Sequence, residues 1–337
     1  MLDIINIATT SDENYARGLT MMIASFIRSN KELKTKKVAF YILDGGLSKQ
    51  TIDIISNFKN LKSLKWKLEI NFIPADVSLF HNVPKFYGKT NITLARLFLG
   101  DLVKGDYTYW IDSDFIVNTL LPDYSVLEGK TIAGCVEPYL PELHQDFKEK
   151  EYPFGKRPSN RPYINAGFML IDLGRWRKLG FSEKAIDAIT KHPKYFTWLD
   201  QSAVNFFLAD EITLIDPKYN RNKHAGELNE EISQNFTDSN LHLTGPVKPW
   251  AINSRREQYY VQNEIFLRME EKLLGRDNSE AIRFITLKTI PNLTFKVCLY
   301  YFIKPKLYTR RKAVLQATRL YNKMRHNIIS GIKHYSL

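Results

Sequence analysis

Short apolar runs alternate with amphipathic stretches through most of the chain. Runs rich in β-branched and aromatic residues predict buried strands at 4–8, 38–43, 68–73, 107–111, 132–135 and 164–170. Apolar residues that recur every three or four positions predict helices at 16–29, 51–58, 93–102, 181–190 and 202–208. This alternation is typical of an α/β domain, with a mostly parallel, Rossmann-like sheet and helices on both faces. In such sheets the ligand lies at the carboxyl ends of the strands.

Two regions depart from this alternation. Residues 140–161 are polar and contain three prolines, which predicts a long loop of the kind that often covers an active site. Beyond residue 280, helices are predicted at 280–290 and 309–330, separated by Pro291 and Pro305. The pattern therefore predicts a main domain at 1–270 and a helical appendage at 283–337.

The charge distribution separates the same two regions. The net charge of the chain is +12, and residues 283–337 contain 12 lysines and arginines but no acidic residue. The rest of the chain has equal numbers of basic and acidic residues, 36 of each. An electrically neutral body with a basic tail predicts that the tail binds an anionic partner.

The appendage also has apolar character. In 309–330 the apolar residues recur at spacings of three and four, opposite a basic face, and 300–302 is an aromatic run. An apolar helix face flanked by bases is typical of interfacial membrane binding. The longest apolar stretch of the tail has 7 residues, whereas a spanning helix needs about 20. The alternative is a solvated basic helix packed on the domain.

The start of the chain and its cysteines suggest a compartment. No basic leader precedes the first apolar run, and the two cysteines, Cys135 and Cys298, are far apart in the sequence. They fit neither a disulfide framework nor a cysteine-based zinc site. We therefore expect a cytoplasmic protein in a reducing environment, peripheral on the inner face of the plasma membrane.

The strongest chemical signal is an acidic pair after the predicted strand at 107–111. Asp112, Ser113 and Asp114 place two carboxylates at spacing i, i+2, which directs both toward the same side of an extended chain. Two such acids repel each other unless a cation lies between them, and oxygen ligands suit Mg²⁺ or Mn²⁺. The alternative is a solvated turn, because this motif alone is common.

A second polar group lies far downstream. His242 follows a short apolar run, and Gly245 and Lys248 follow in the next turn. A histidine that completes an oxygen-based site favours Mn²⁺ over Mg²⁺. A glycine lets backbone N–H groups approach a phosphate, and a lysine supplies a point charge for it. Taken alone, a histidine such as His242 is more often structural, so the hypothesis depends on its convergence with the acidic pair.

Six motifs in order, covering roughly residues 4–250, resemble the family 8 glycosyltransferases. This family includes bacterial lipopolysaccharide galactosyl- and glucosyltransferases and the glycogenins. The motifs are Ala8–Tyr15, Thr93–Leu97, Asp112–Asp114, Asn165–Phe168 with Asp172-Leu173 and Trp176-Arg177, Asp200–Asn205, and His242–Trp250. The first motif is more polar than the family pattern, at Thr9-Thr10-Ser11.

The resemblance implies a GT-A fold, a UDP-sugar donor, Mn²⁺ and transfer with retention of anomeric configuration. It implies that Asp112, Asp114 and His242 are the metal ligands. It also implies donor contacts at Ala8, Thr9, Asp12, Asn14, Tyr15, Arg96, Ser113, Asn165, Ala166, Asp200, Gln201, Gly245 and Lys248. Of these, Asn165, Ala166, Asp200 and Gln201 are expected around the transferred sugar, and Asn165, Asp200 and Gln201 are the candidate catalytic residues. Glu137 is a further acidic residue at which an acceptor contact is expected.

Several of these residues have simpler structural interpretations. Arg96 could tether a helix to Asp101 or to a neighbouring group, Asp200 could be a helix N-cap, and Asn165 could fix a turn. Gln201 is an amide and a poor nucleophile, so we predict same-face displacement at the sugar rather than a covalent intermediate. Trp176 and Trp250 are expected in the core.

The sequence therefore predicts hexose transfer from a UDP-sugar to a saccharide or lipid-linked saccharide acceptor. A sugar nucleotidyltransferase is the alternative enzyme, although it would usually carry a Gly-rich basic loop after the first strand, and 9–15 contains no glycine or base. A nucleic-acid-binding protein is the non-enzymatic alternative. The neutral body and the apolar face of the tail favour a membrane over nucleic acid.

Overall fold

The structure is a computed structural model that describes residues 3–85, 90–158, 161–222, 238–245, 248–250 and 260–278, with the side chains of 260–265 excepted. The predicted tail helices at 280–290 and 309–330 lie outside these ranges, so the basic appendage and the domain division stay predictions. Among the described helices, none has both the length and the apolar character needed to cross a bilayer.

Twelve strands are described, and they form three sheets. They are β1 (Ile4–Ser11), β2 (Lys37–Asp44), β3 (Lys67–Pro74), β4 (Tyr107–Ile111), β5 (Phe115–Ile116), β6 (Ile132–Val136), β7 (Glu151–Tyr152), β8 (Gly155–Lys156), β9 (Ile164–Asp172), β10 (Ile212–Leu214), β11 (Arg221–Asn222) and β12 (Leu241–His242). The main sheet has the order β10-β6-β9-β4-β1-β2-β3. All its pairs are parallel except those of β9, which is antiparallel to both neighbours. The predicted mostly parallel sheet is confirmed.

Helices cover both faces of the main sheet. They are α1 (Ala16–Asn30), α2 (Lys49–Ser56), α3 (Leu99–Leu102), α4 (Leu143–Asp146), α5 (Leu173–Lys178), α6 (Phe181–Lys191), α7 (Asp200–Phe207) and α8 (Tyr260–Leu274). Successive strand residues point to opposite faces, so β4 sends Tyr109 into one core with α1 and Trp110 into the other with α5 to α7.

Two expectations about the elements need correction. Residues 93–102 are largely a 3₁₀ helix, Ile92–Phe98, that precedes the short α3. Residues 140–161 are not a structureless loop, because they contain α4 and the β7–β8 hairpin. Aromatic contacts hold this segment in place: Phe154 packs on Phe196 and Phe206. The pattern also missed β10 and α8.

A small second sheet, β11-β12-β5, lies next to the main one. β12 pairs antiparallel with β5, which places His242 opposite Phe115, directly after the acidic pair. The backbone carbonyl of Asp114 also accepts a hydrogen bond from the Leu243 N–H. Residues more than a hundred positions apart are thus fixed next to each other by backbone pairing.

Candidate active site

A cavity of about 240 Å³ opens where β1 and β4 end, at the carboxyl edge of the sheet. Most of the predicted site residues line it, namely Asp12, Tyr15, Arg96, Asp112, Ser113, Asp114, Asn165, Ala166, Asp200, Gln201, His242, Gly245 and Lys248. Ala8 and Thr9 lie buried within β1 and Asn14 is exposed, all outside the lining of this cavity. Their predicted contacts with the nucleotide stay predictions.

The acidic pair and the distant histidine converge. His242 Nε2 lies 3.3 Å from Asp114 Oδ1 and 3.7 Å from Asp112 Oδ2. One ligand atom from each residue lies within 4.8 Å of the other two. Two carboxylate oxygens and an imidazole nitrogen form a donor set that suits Mn²⁺, with Mg²⁺ as the oxygen-preferring alternative. The predicted three-residue cluster is confirmed, and its donor chemistry fits the divalent ion that the resemblance implies.

Asp112 uses its two oxygens differently. Its Oδ1 accepts hydrogen bonds from Arg96 at 2.7 Å and from the Trp110 indole at 2.6 Å, while Oδ2 faces His242. The Arg96 guanidinium lies over the Trp110 ring, 4.3 Å from its centroid. These contacts hold the carboxylate in one orientation, so its other oxygen remains directed at His242.

Arg96 also pairs with Asp200. Arg96 is 2% exposed, and its Nη1 lies 2.9 Å from Asp200 Oδ2, so its partners are Asp112 and Asp200 rather than Asp101. Burial raises the pKa of Asp200; Arg96 opposes this shift and Asp112 adds to it, so the pKa stays above its ordinary value.

Leu199, not Asp200, is the N-cap of α7. Leu199 has φ 50° and ψ −117°, a conformation that costs a non-glycine residue about 1–3 kcal/mol.

Lys248 is buried beside the acidic pair. Its ammonium lies 2.5 Å from Asp114 Oδ2 and donates to the Leu243 carbonyl at 2.9 Å. Burial alone would raise the pKa of Asp114, but Lys248 and His242 outweigh it and hold the pKa below its ordinary value. Asp114 is therefore ionised at neutral pH.

The imidazole of His242 fits into a space that a glycine leaves open. A Cβ atom added to Gly167 would lie 2.2 Å from His242 Cε1. On another side the imidazole stacks on Phe115, with ring centroids 4.3 Å apart. Gly167 lies where the register between β9 and β6 shifts, at a bulge of the kind that often re-aims side chains next to active sites.

Asn165 and Gln201 are joined through this bulge. The Asn165 side-chain oxygen accepts from the Gly167 N–H at 2.9 Å, and the Gln201 side-chain oxygen accepts from the Ala166 N–H at 3.0 Å. Asn165 thus lies in a strand and not in a turn. Gln201 reaches from α7 to the strand, which places its amide at the cavity wall.

The turn after β1 forms another wall. The 3₁₀ helix Glu13–Tyr15 follows Asp12, and the Tyr15 ring makes an edge contact with Trp250. The Trp250 indole donates to the Asn14 carbonyl at 2.9 Å. Trp250 is partly buried against the core, whereas Trp176 is fully buried. The Lys248 ammonium lies 5.3 Å from the centroid of the Tyr15 ring. This wall therefore combines an aromatic face with a positive charge.

Some buried polar atoms of cavity-lining residues lack a hydrogen-bond partner among the described residues. Asp12 Oδ1 and Arg96 Nε make no hydrogen bond within the part of the chain that the structure describes. Buried polar groups are nearly always hydrogen-bonded in folded proteins. These two atoms are thus groups that a polar ligand in the cavity can satisfy.

Sequence reasoning missed several residues of the cavity. Asn222, Thr244 and Trp198 line it, and Asn220 lies directly behind His242. The alternation Asn220-Arg221-Asn222 puts two amides on one side of an extended segment, which is the one available signal for them. Glu137, expected at an acceptor contact, lines the cavity but is occupied by amide donors from Asn165 and Asn222.

Residues 6–254 match the model of glycosyl transferase family 8. General stress protein A of Bacillus subtilis is 28% identical over 278 residues, which cover 77% of this chain and 92% of that protein. A lipopolysaccharide 1,2-glucosyltransferase of Escherichia coli is 25% identical, covering 74% of each chain. A lipopolysaccharide 1,3-galactosyltransferase of Salmonella typhimurium is 26% identical, covering 74% of this chain and 73% of that one.

Solved structures share the fold. The galactosyltransferase LgtC, in complex with donor and acceptor sugar analogues, has a TM-score of 0.57 and 18% identity, covering 73% of this chain and 89% of that one. The glycosyltransferase GlyE of Streptococcus pneumoniae has a TM-score of 0.55 and 18% identity, covering 85% of this chain and 64% of that one. The predicted GT-A fold is confirmed.

Proposed function

Because the chain belongs to glycosyl transferase family 8, we propose that it transfers a hexose, galactose or glucose, from a UDP-sugar to a saccharide acceptor with retention of configuration. One observation carries this proposal: Asp112, Asp114 and His242 converge at the wall of a cavity that Lys248 also lines. A divalent cation and a buried ammonium at one place suit a diphosphate leaving group.

The cation is proposed to be Mn²⁺, held by Asp112, Asp114 and His242. When bound, it acts as a Lewis acid that neutralises the charge developing on the departing phosphate. Lys248, which is 7% exposed, adds a second positive charge on the same side. Gly245 has a φ of 96°, a conformation that favours glycine, and the absence of a side chain lets the backbone approach a phosphate closely.

The nucleotide and the sugar are proposed to occupy opposite ends of the cavity. The Asp12–Tyr15 turn supplies an aromatic ring and a carboxylate oxygen without a described partner, which suits a uridine. At the other end, the free Arg96 Nε, Asp200 and Gln201 offer donors and acceptors for sugar hydroxyl groups. The Arg96–Asp200 pair fixes the position of both groups.

We propose that the reaction proceeds on one face of the sugar. The bond between the anomeric carbon and the UDP oxygen breaks, the acceptor oxygen attacks from the same face, and its proton passes to the departing phosphate oxygen. Asp200 is held by Arg96, and the Gln201 side-chain oxygen accepts a hydrogen bond from the Ala166 N–H, so neither is poised as a free nucleophile. A glycosyl-enzyme ester on Asp200, detected by mass spectrometry, would refute this mechanism.

The acceptor is proposed to be a lipooligosaccharide, a lipopolysaccharide or another cell-surface glycan. Several relatives are named as lipopolysaccharide glycosyltransferases, which supports this class. Tyr139, 43% exposed, and the partly buried Trp198 line the same cavity and offer apolar faces to a second sugar ring.

The test is UDP release by the purified full-length protein with Mn²⁺, screened over UDP-galactose and UDP-glucose. We expect slow donor hydrolysis without acceptor and faster UDP release with a suitable oligosaccharide. Removing the metal with a chelator should abolish both, and Mn²⁺ should restore them better than Mg²⁺. Release of pyrophosphate from a nucleoside triphosphate and a sugar phosphate, with no UDP release, would instead identify a nucleotidyltransferase.

We further propose that the basic tail holds the enzyme on the inner face of the plasma membrane. Each base near an anionic bilayer contributes about 1 kcal/mol, and residues 283–337 contain 12 bases without an acid. The full chain should sediment with vesicles that contain phosphatidylserine, and high salt should release it.

Matched variants test this attachment. Deleting residues 283–337, or replacing Arg310, Arg311 and Lys312 with glutamine in the full chain, should weaken sedimentation with these vesicles. Neutral phosphatidylcholine vesicles serve as the lipid control, and Lys34, Lys62 and Lys65 changed to glutamine serve as the protein control. Sedimentation of the truncated protein equal to that of the full chain would contradict the proposal.

A further inference from the structure

We propose that a buried chain of side-chain amides, running from Glu137 through Asn165 and Asn220, fixes the proton of His242 on Nδ1 and thereby leaves Nε2 free to bind the cation. Asn220 is the positioning residue that acts directly on the imidazole. The inference rests on the proposed function only in that it takes His242 as a metal ligand. The location of the proton itself depends only on hydrogen bonds among the described residues.

The direct contact is between His242 and Asn220. His242 Nδ1 lies 3.0 Å from Asn220 Oδ1, while Nε2 faces the carboxylates of Asp112 and Asp114. In a neutral imidazole one nitrogen carries the proton and the other has the lone pair. The hydrogen bond at one nitrogen decides which nitrogen remains available to a metal.

Backbone groups settle which way the Asn220 amide points. Its nitrogen lies 3.3 Å from the backbone carbonyl of Asn165 and 2.8 Å from the Asn165 side-chain oxygen. A carbonyl only accepts hydrogen bonds, so the atom facing it must be the Asn220 NH₂ group. The Asn220 oxygen therefore faces His242, and an oxygen of this kind only accepts.

The Asn165 amide is fixed in the same way. Its side-chain oxygen accepts from the Gly167 backbone N–H at 2.9 Å, which only donates. Its nitrogen then donates to Glu137 Oε2 at 2.7 Å. The orientation of each amide is thus set by a backbone group that can only accept, as a carbonyl does, or only donate, as an N–H does.

Glu137 ends the chain as an acceptor. Besides Asn165, its carboxylate accepts from the Asn222 amide at 3.0 and 3.2 Å and from the Tyr139 N–H at 3.2 Å. With three donors directed at it, this carboxylate can act only as an acceptor, so the hydrogen bonds of the chain cannot run in the opposite direction. The Asn222 oxygen accepts from Thr244, which ties the same network to the residue two positions after His242.

Burial makes the arrangement effective. Glu137, Asn165, Asn220 and His242 are each between 4% and 6% exposed, so water does not compete for their hydrogen bonds. Without the chain, the carboxylates near Nε2 would attract the imidazole proton to that nitrogen. A proton on Nε2 would hydrogen-bond to Asp114 and close the cation position. The amide chain opposes this outcome.

The first measurement is the tautomer of His242 in the metal-free full-length protein. Nitrogen-15 spectra of the labelled imidazoles distinguish the two tautomers, at a pH about two units above the ordinary histidine pKa of ~6.5. Loss of one of the 7 histidine signals in a His242→Gln variant assigns the ring. We expect the proton on Nδ1 in the wild type and on Nε2, or shared, in Asn220→Leu, which keeps the volume but removes the acceptor.

The second measurement is Mn²⁺ affinity by electron paramagnetic resonance, without substrate. Loss of a partner behind a metal ligand typically weakens binding ~10–100-fold, and we expect this range for Asn220→Leu. Glu137→Gln replaces one carboxylate oxygen with an NH₂ group that would face the N–H donors of Asn165, Asn222 and Tyr139. It should weaken Mn²⁺ binding about 10-fold, at the lower end of that range. Asn30→Leu and Glu270→Gln are the matched controls, because both residues are buried and hydrogen-bonded away from the cavity.

The outcomes separate this inference from the proposed function. The controls should lower the melting temperature as much as the test variants and leave the Mn²⁺ affinity unchanged. A wild-type proton on Nε2, or an Asn220→Leu protein with unchanged tautomer and affinity, overturns the inference. A proton on Nδ1 that moves in Asn220→Leu, in a protein that binds no Mn²⁺ at all, supports the amide chain and overturns the proposed metal role.

Discussion

Replacing Asp114 with asparagine is expected to lower UDP-hexose transfer by ~10²–10³-fold or more. The change keeps the shape of the side chain but removes the charge that faces His242 at 3.3 Å and Lys248 at 2.5 Å. The cation would then be held by one carboxylate and an imidazole. Lys248 would be buried without its anionic partner. The measurement is UDP release at saturating donor, over a range of Mn²⁺ concentrations.

The same substitution tests the electrostatics of the folded state. The folded-state pKa of Asp114 lies below its ordinary value, so its ionised form stabilises the fold above that ordinary value, and this contribution is lost as the pH falls through the folded pKa. Breaking a buried ion pair costs about 3–5 kcal/mol, so Asp114→Asn should also melt at a lower temperature in metal-free buffer at neutral pH.

Asp210→Asn is the control, because Asp210 pairs with Arg161 at the surface and such pairs contribute about 0–1 kcal/mol. It should keep both activity and melting temperature. Full activity of Asp114→Asn at low Mn²⁺ would show that the carboxylate does not bind the cation, and the proposed function would lose its central residue.

The sequence predicted the parts of the site that depend on local pattern. A buried strand ending at Ile111, followed by carboxylates at i and i+2, needs only its own periodicity and composition, and β4 is observed with the predicted bounds. The role of His242 depended on its proximity to the acidic pair, since the local sequence around a single histidine does not show which residues it contacts. Its position follows from the pairing of β12 with β5, a long-range contact that no local pattern encodes.

What the sequence could not supply is the choice among partners. Lys248 was predicted to contact a phosphate, and it also pairs with Asp114; Asn165 was expected at the sugar, and it also orients Asn220. The type of a polar residue determines which hydrogen bonds and ion pairs it can make, but only the fold determines which groups lie within about 3 Å of its side chain. The 3₁₀ geometry of Ile92–Phe98 was also not predicted. A 3₁₀ helix and an α-helix can both bury one apolar face, so the apolar pattern of this segment does not distinguish them.

The second large effect is expected at Arg96, because its guanidinium pairs with both Asp112 and Asp200 and so connects the proposed cation position with the proposed sugar end of the cavity. Its Nη2 binds Asp112 and its Nη1 binds Asp200, while the plane of the group lies over Trp110. A planar group with five donors can make these contacts at once. A lysine ammonium is a point charge that reaches one carboxylate at a time and stacks poorly.

Arg96→Lys is therefore expected to lower kcat by ~10²-fold although the charge is conserved, since a displacement of about 1 Å at a reacting group costs that much. We expect Mn²⁺ affinity to fall as well, because Asp112 Oδ1 loses a partner that holds the carboxylate toward the cation. Arg175→Lys is the matched control: Arg175 pairs with Glu211 outside the cavity and is 41% exposed, so its kcat should be unchanged. An Arg96→Lys enzyme with wild-type kcat and Mn²⁺ affinity would show that the guanidinium serves only to neutralise buried charge. The link between the two ends of the cavity would then lie elsewhere.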